Sequence, residues 1–213
     1  MIQERDYGGD MSRTIVYVIL HGDSEKEKPR RLTEQGKEQI KELSRSRIVA
    51  APARIYTSSS KACKETADIL AKELMSKTEE KGCLAELNLG QKDPDEDYLR
   101  DVLPRIWKDQ TYAPPSGESI FDAQQRFATC VHSIARAHPE NSVAIIAEPL
   151  VFALFYRIVV GGETQVEDWL YSGFASCATY EYSKNGWALI MPPENSFLSQ
   201  PTDVASSLPL GLF

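Results

Sequence analysis

Seven consecutive residues, Thr14–Leu20 (TIVYVIL), are apolar, β-branched or aromatic, and the run ends abruptly at His21-Gly22. A strand without polar alternation is one buried on both faces, as in the interior of a parallel sheet. Arg54–Thr57 (RIYT) and Ser142–Ala147 (SVAIIA) repeat the pattern, and helix signals follow each run. After the first run and a polar stretch, Thr33 stands as an N-cap, with Gln39, Ile40 and Leu43 at helical spacing behind it. After the second, Ser58 to Ser60 precede a predicted helix over 61–77 with Ala67, Ile69, Leu70 and Leu74 on its apolar face. After the third, Glu148-Pro149 opens a helix over 150–160, with proline suited to the first turn. Strands alternating with helices predict an α/β three-layer sandwich around a mostly parallel sheet. Ligands in such folds bind where the strands end. That rule gathers His21-Gly22, 57–61, the region of Glu86 and 147–149 at one site.

The rest of the chain is read more coarsely. A helix is predicted over 119–137, with Phe121, Phe127, Val131 and Ile134 near one face. A hairpin is expected over 177–191, turning at Asn185-Gly186. Residues 78–118 lack clear periodicity apart from a short helix around 98–107, the mark of a lid or an insertion. This divides the chain into an extension (1–13), a domain (14–193) and a Ser/Pro/Leu-rich tail (194–213).

Hydrophobic residues make up 42% of the 213, enough for a core. The formal charge of −7 argues against nucleic acid as a partner, and any anionic ligand would need a local cluster of cations. The cysteines (Cys63, Cys83, Cys130, Cys177) and histidines (His21, His132, His138) have no metal-ligand spacing, so no metal or other cofactor is expected. Each cysteine reads as a small buried hydrophobe in a reducing compartment, and His132 and His138 as structural. Without an apolar leader or a run long enough to span a bilayer, the expectation is a cytoplasmic chain with no membrane partner. A homo-oligomer remains open.

In order, the loops resemble the histidine phosphatase superfamily, the phosphoglycerate mutase-like enzymes. Leu20-His21-Gly22 stands where that family has Arg-His-Gly, and Leu32-Thr33-Glu34-Gln35-Gly36 matches its Leu-Thr-Glu-x-Gly intact. Ser59-Ser60-Lys61-Ala62 to Thr66-Ala67 fits the Ser-Ser and Arg-Ala-x-x-Thr-Ala frame, with Ala62 in place of the arginine. Glu86, before a Gly, fits the general acid, and Pro115-Ser116-Gly117-Glu118-Ser119 matches the Pro-x-Gly-Glu-Ser helix start. The final Ser-His-Gly reads Ala147-Glu148-Pro149.

The resemblance implies phosphoryl transfer to His21 with Glu86 as proton donor, in a pocket built from positions 20, 22, 62 and 148. Such chemistry is mostly positioning and stabilisation of negative charge. Leu20, Ala62 and Glu148 replace two arginines and a histidine, and Glu148 sets an anion where phosphate should sit. The expectation is a His21–Glu148 ion pair filling the old pocket, in a non-catalytic binding or regulatory module holding at most a weak anion. The alternative is a slow or specialised phosphomonoesterase using His21 as nucleophile, with Arg30, Arg31, Lys61, Lys64, Arg100 or Arg105 as substitute cations. A different enzyme on the same scaffold has no motif in its favour. Arg126 is expected to be a helix-surface or salt-bridge residue.

Overall fold

The computed structural model describes residues 12–26 and 29–208. Most of the expected N-terminal extension, and the apolar end over 209–213, lie outside the described residues.

The TIVYVIL run forms β1 (Thr14–Leu20), and the core grows from it. It is followed by α1 (Glu34–Ser46), β2 (Arg54–Thr57), α2 (Lys61–Leu74), the short β3 (Thr78–Glu80) and a 3-10 turn, Gly82–Leu84. Helices α3 (Glu96–Lys108) and α4 (Ile120–Arg136) precede β4 (Ser142–Ala147), α5 (Pro149–Val160) and α6 (Val166–Leu170). The hairpin β5 (Cys177–Ser183) and β6 (Gly186–Glu194) and a last turn, α7 (Val204–Ser207), complete the described chain. The strand order is β3-β2-β4-β1-β5-β6, parallel from β3 to β1 and antiparallel at β5 and β6.

Alternate side chains of β1 enter opposite layers. Val16, Val18 and Leu20 pack with Phe127, Val131, Phe152 and Phe155 of α4 and α5. Tyr17 and Ile19 pack with Ile40, Leu43, Ala67 and Leu70 of α1 and α2. Sheet burial on both faces explains the unbroken apolar runs.

Register sets the site. Leu20 of β1 stands beside Ala147 of β4, and Thr57 of β2 beside Ile146. Three parallel strands therefore end at one level, and His21, Ser58 and Glu148 leave the sheet together. The turn after β1 is fixed by backbone contact with α1, where Asp23 O accepts from Thr33 N and Thr33 Oγ1 accepts from Gly36 N. A Cβ on Gly36 would lie 2.0 Å from Asp23 O, which is why this motif needs glycine there. Gly36→Ala is expected to cost about 2 kcal/mol in denaturant unfolding by forcing the His21 turn off the helix. An unchanged midpoint would show that this contact does not hold the turn.

Several expectations need correcting. Helix α2 stops at Leu74, because Met75 is left-handed (φ 53°). Phe121 is 52% exposed, since the inward row of α4 runs through Ile120, Ala123, Phe127 and Val131, and residue 121 lies a third of a turn away. Strand β6 continues through Pro192 and Pro193, which an edge strand tolerates. The sequence leaves open whether the tail docks; over 194–208 it packs on the domain, with Leu198 and Val204 buried, Phe174 N donating to Thr202 O and Val204 N donating to Ser172 O.

Cys63 and Cys177 are buried free thiols, as expected. Cys83 and Cys130 are not, because the 3-10 turn lies on α4 and brings their Cα atoms to 5.9 Å, where they form a disulfide. His132 and His138 are structural, beside the hydroxyls of Tyr182 (3.3 Å) and Tyr56 (2.8 Å). Among the described residues, no helix is long and apolar enough to cross a membrane.

Candidate functional site

A cavity of about 440 Å³ opens beyond the ends of β1, β2 and β4. His21, Ala62, Glu86 and Glu148 line it, so the topology brings together four of the six residues singled out in the sequence. The other two stay outside. Leu20 is fully buried in the α4/α5 layer, and Gly22 packs against Gly36 while its N–H donates to Thr66 Oγ1.

His21 is only 4% exposed. Its Nδ1 lies 2.7 Å from Gly22 O, a carbonyl that can only accept, so Nδ1 carries a proton. The second nitrogen, Nε2, is left for the cavity, and its nearest charged partner is Glu148 Oε2 at 3.9 Å. That separation exceeds hydrogen-bond range. Glu148 and His21 are thus neighbours, as expected, but they do not fill the pocket. Ser58 Oγ donates to the other Glu148 oxygen at 3.3 Å.

Glu86 stands at the N-terminus of α5. Its Oε2 accepts from Leu150 N (2.8 Å) and its Oε1 from Leu87 N (2.8 Å). Burial, with the nearby charge of Glu148, pushes its carboxyl up to about 7 despite these donors. The same two influences raise the Cys63 thiol well above its usual range. Arg126 reaches the same segment, donating to the carbonyls of Cys83, Ala85 and Glu86 and pairing with Glu118 at 2.6 Å. The guanidinium that the sequence marked as a salt-bridge residue therefore also clamps the Glu86 loop in place.

The substitute cations are mostly engaged elsewhere. Arg31 pairs with Glu65, Lys64 with Glu80, Arg100 with Glu96 and Arg105 with Asp101. Arg30 and Lys61 line the cavity as exposed residues, and Lys61 Nζ lies 3.9 Å from Glu65. Among the described residues, Glu148 has no ion pair with a lysine or arginine.

The sequence reading missed the apolar wall. Leu89, Leu99, Leu103, Trp107 and Trp169 line the cavity, and Phe174 lines it against the His21 ring, with centroids 5.5 Å apart. Trp107 and Trp169 stack with centroids 6.0 Å apart, and the buried Trp107 indole N–H lacks a hydrogen-bond partner. Trp107, inside the irregular 78–118 segment, was the available signal.

In three dimensions the chain is similar to YhfR of Bacillus stearothermophilus, with 24% identity and a TM-score of 0.74 over 87% of this chain and 100% of that one. It is also similar to phosphoglycerate mutase from Bacillus anthracis, with 16% identity and a TM-score of 0.73 over 89% and 97%. A mycobacterial glucosyl-3-phosphoglycerate phosphatase gives 18% identity and 0.70 over 84% and 98%. These likenesses show the fold. No curated protein sequence matches the chain significantly. The profile of the Histidine phosphatase superfamily (branch 1) matches residues 16–192, from β1 through β6, and so spans every strand end that builds the cavity. With the strand order and the His21 turn in agreement, this chain belongs to the histidine phosphatase superfamily.

Proposed function

We propose that the chain is a non-catalytic member of its family, a binding or regulatory module whose cavity no longer holds a phosphoryl group. The observation that carries this reading is Glu148 Oε2 at 3.9 Å from His21 Nε2, with no lysine or arginine paired to that carboxylate among the described residues. A phosphoryl oxygen beside His21 would meet this carboxylate at contact distance. Two like unit charges 4 Å apart repel by about 4 kcal/mol at an effective dielectric constant of ~20. Three lost donors to a charged group add about 5–9 kcal/mol, a factor on the order of 10⁴ to 10⁶ in rate.

The specialised phosphomonoesterase reading also has support. The Nδ1 hydrogen bond aims Nε2 at the cavity as a nucleophile requires, and a carboxyl near 7 suits a general acid. Neither feature supplies the missing positive charge. The cytoplasmic placement expected from the sequence has one observation against it, the Cys83–Cys130 bond, because disulfides persist mainly in oxidising compartments.

The test is hydrolysis of phenyl phosphate and of phosphorylated sugars by the purified chain and by His21→Ala. The expected result is no difference between the two proteins. Turnover that His21→Ala abolishes would overturn the non-catalytic reading.

A further inference from the structure

What the remodelled cavity binds can be argued from the chemistry of its walls, and the argument rests on the non-catalytic reading above. With His21, the carboxylates of Glu148 and Glu86 line the cavity as acceptors, while Arg30 and Lys61 line it as exposed cations and the buried Trp107 indole N–H as a donor. Glu148 offers Oε2, because Ser58 occupies Oε1. Glu86 also lines the cavity, each of its oxygens already accepting one backbone N–H. His21 offers Nε2, because Nδ1 is committed as a donor to Gly22 O. This last observation is independent of the acidic pair: a side chain 5% exposed lines the cavity with a ring nitrogen for which the described residues supply no hydrogen-bond donor. Acceptors withdrawn from water are costly unless a donor meets them.

We infer that this end of the cavity binds the ammonium group of an organic amine, whose apolar body lies along the wall of leucines, Trp107, Trp169 and Phe174. An ammonium carries three N–H donors and no acceptor, the complement of what His21 and Glu148 present. Its nitrogen can sit about 2.9 Å from both His21 Nε2 and Glu148 Oε2, which are themselves 3.9 Å apart. A void of about 440 Å³ is of the size that holds small organic ligands. Aromatic faces add attraction for a cation. The net charge of −7 favours the approach of a cation and opposes that of a phosphate. A metal ion is the poorer candidate, because no group of three or more His, Cys, Asp and Glu among the described residues is arranged to hold one.

The experiment is calorimetric titration of the full chain at pH 8 with 2-phenylethylamine, 2-phenylethanol and phenyl phosphate. These probes share an aromatic body and differ in charge. The amine is expected to bind at least tenfold more tightly than the alcohol, and phenyl phosphate not at all. Glu148→Gln, nearly isosteric, should remove that tenfold preference, with circular dichroism verifying its fold. In the unmodified chain, the amine should shift the one histidine ring resonance that His21→Ala abolishes. An amine bound no better than the alcohol, a preference surviving Glu148→Gln, or an unmoved His21 resonance overturns the inference. If phenyl phosphate is also untouched, the non-catalytic reading survives that failure. His21-dependent hydrolysis of phenyl phosphate overturns both.

Discussion

Reduction of the Cys83–Cys130 disulfide is expected to remove about 4 kcal/mol of stability and to lower Tm by roughly 8–16 °C. The bond closes a loop of 47 residues that contains α3 and most of the irregular segment. Cross-linking such a loop withdraws conformational freedom from the unfolded chain, and the penalty grows slowly with loop length. Cys130→Ala should show the same loss without reductant and no further loss with it. The effect should also be felt at the cavity, because Cys83 sits three residues before Glu86, and Arg126 and the packing of Leu84 would then hold that loop to α4 without a covalent bond. Four titratable thiols in the unfolded, unreduced protein, where two are expected, would rule the bond out.

The second large effect is on pH dependence. The Glu86 carboxyl lies at about 7 in the fold, against an ordinary value of 4.5. Above pH 7 it is ionised in both folded and unfolded chains, and the fold bears the full cost of holding a charge beside Glu148. Between pH 7 and 4.5 the folded chain takes up the proton first and gains stability. Below 4.5 both forms are protonated and the gain is complete. The gain amounts to as much as about 3 kcal/mol. His138 opposes it: burial lowers its ring below 6.5, so the unfolded chain takes up that proton first as the solution is acidified. The stability difference between the native chain and Glu86→Gln isolates the carboxyl. This difference should favour Glu86→Gln more at pH 8 than at pH 5, and a flat difference across that range would sink the assignment.

Much of this architecture was legible in the sequence because its strands are buried on both faces. TIVYVIL and SVAIIA admit few alternatives, and the helix caps at Thr33, Ser60 and Ser119 fall where their residue types predict. The convergence of His21, Ala62, Glu86 and Glu148 was legible too, since it follows from parallel strands ending together. What escaped depends on contacts far apart in the chain. The Cys83–Cys130 pair has no spacing signature. The docking of 194–208 combines two buried side chains, Leu198 and Val204, with hydrogen bonds such as Gln39 Nε2 to Gln200 O. Leu20 kept its place in the motif yet turned into the core, because alternation along β1 and not the motif decides which way it faces.

The strand order also bears on how the chain comes into being. The central strand, β1, is the first of the sheet's strands in chain order, and both of its partners, β4 and β5, lie more than 120 residues downstream. At ordinary translation speeds of about 5–20 residues per second, roughly 8–30 s pass before β5 follows β1 out of the ribosome. Until β4 is made, this seven-residue hydrophobic strand has neither of its partner strands. The cavity framed by β1 and β4 therefore cannot assemble before β4 has been synthesised, and TIVYVIL stays unpaired until then.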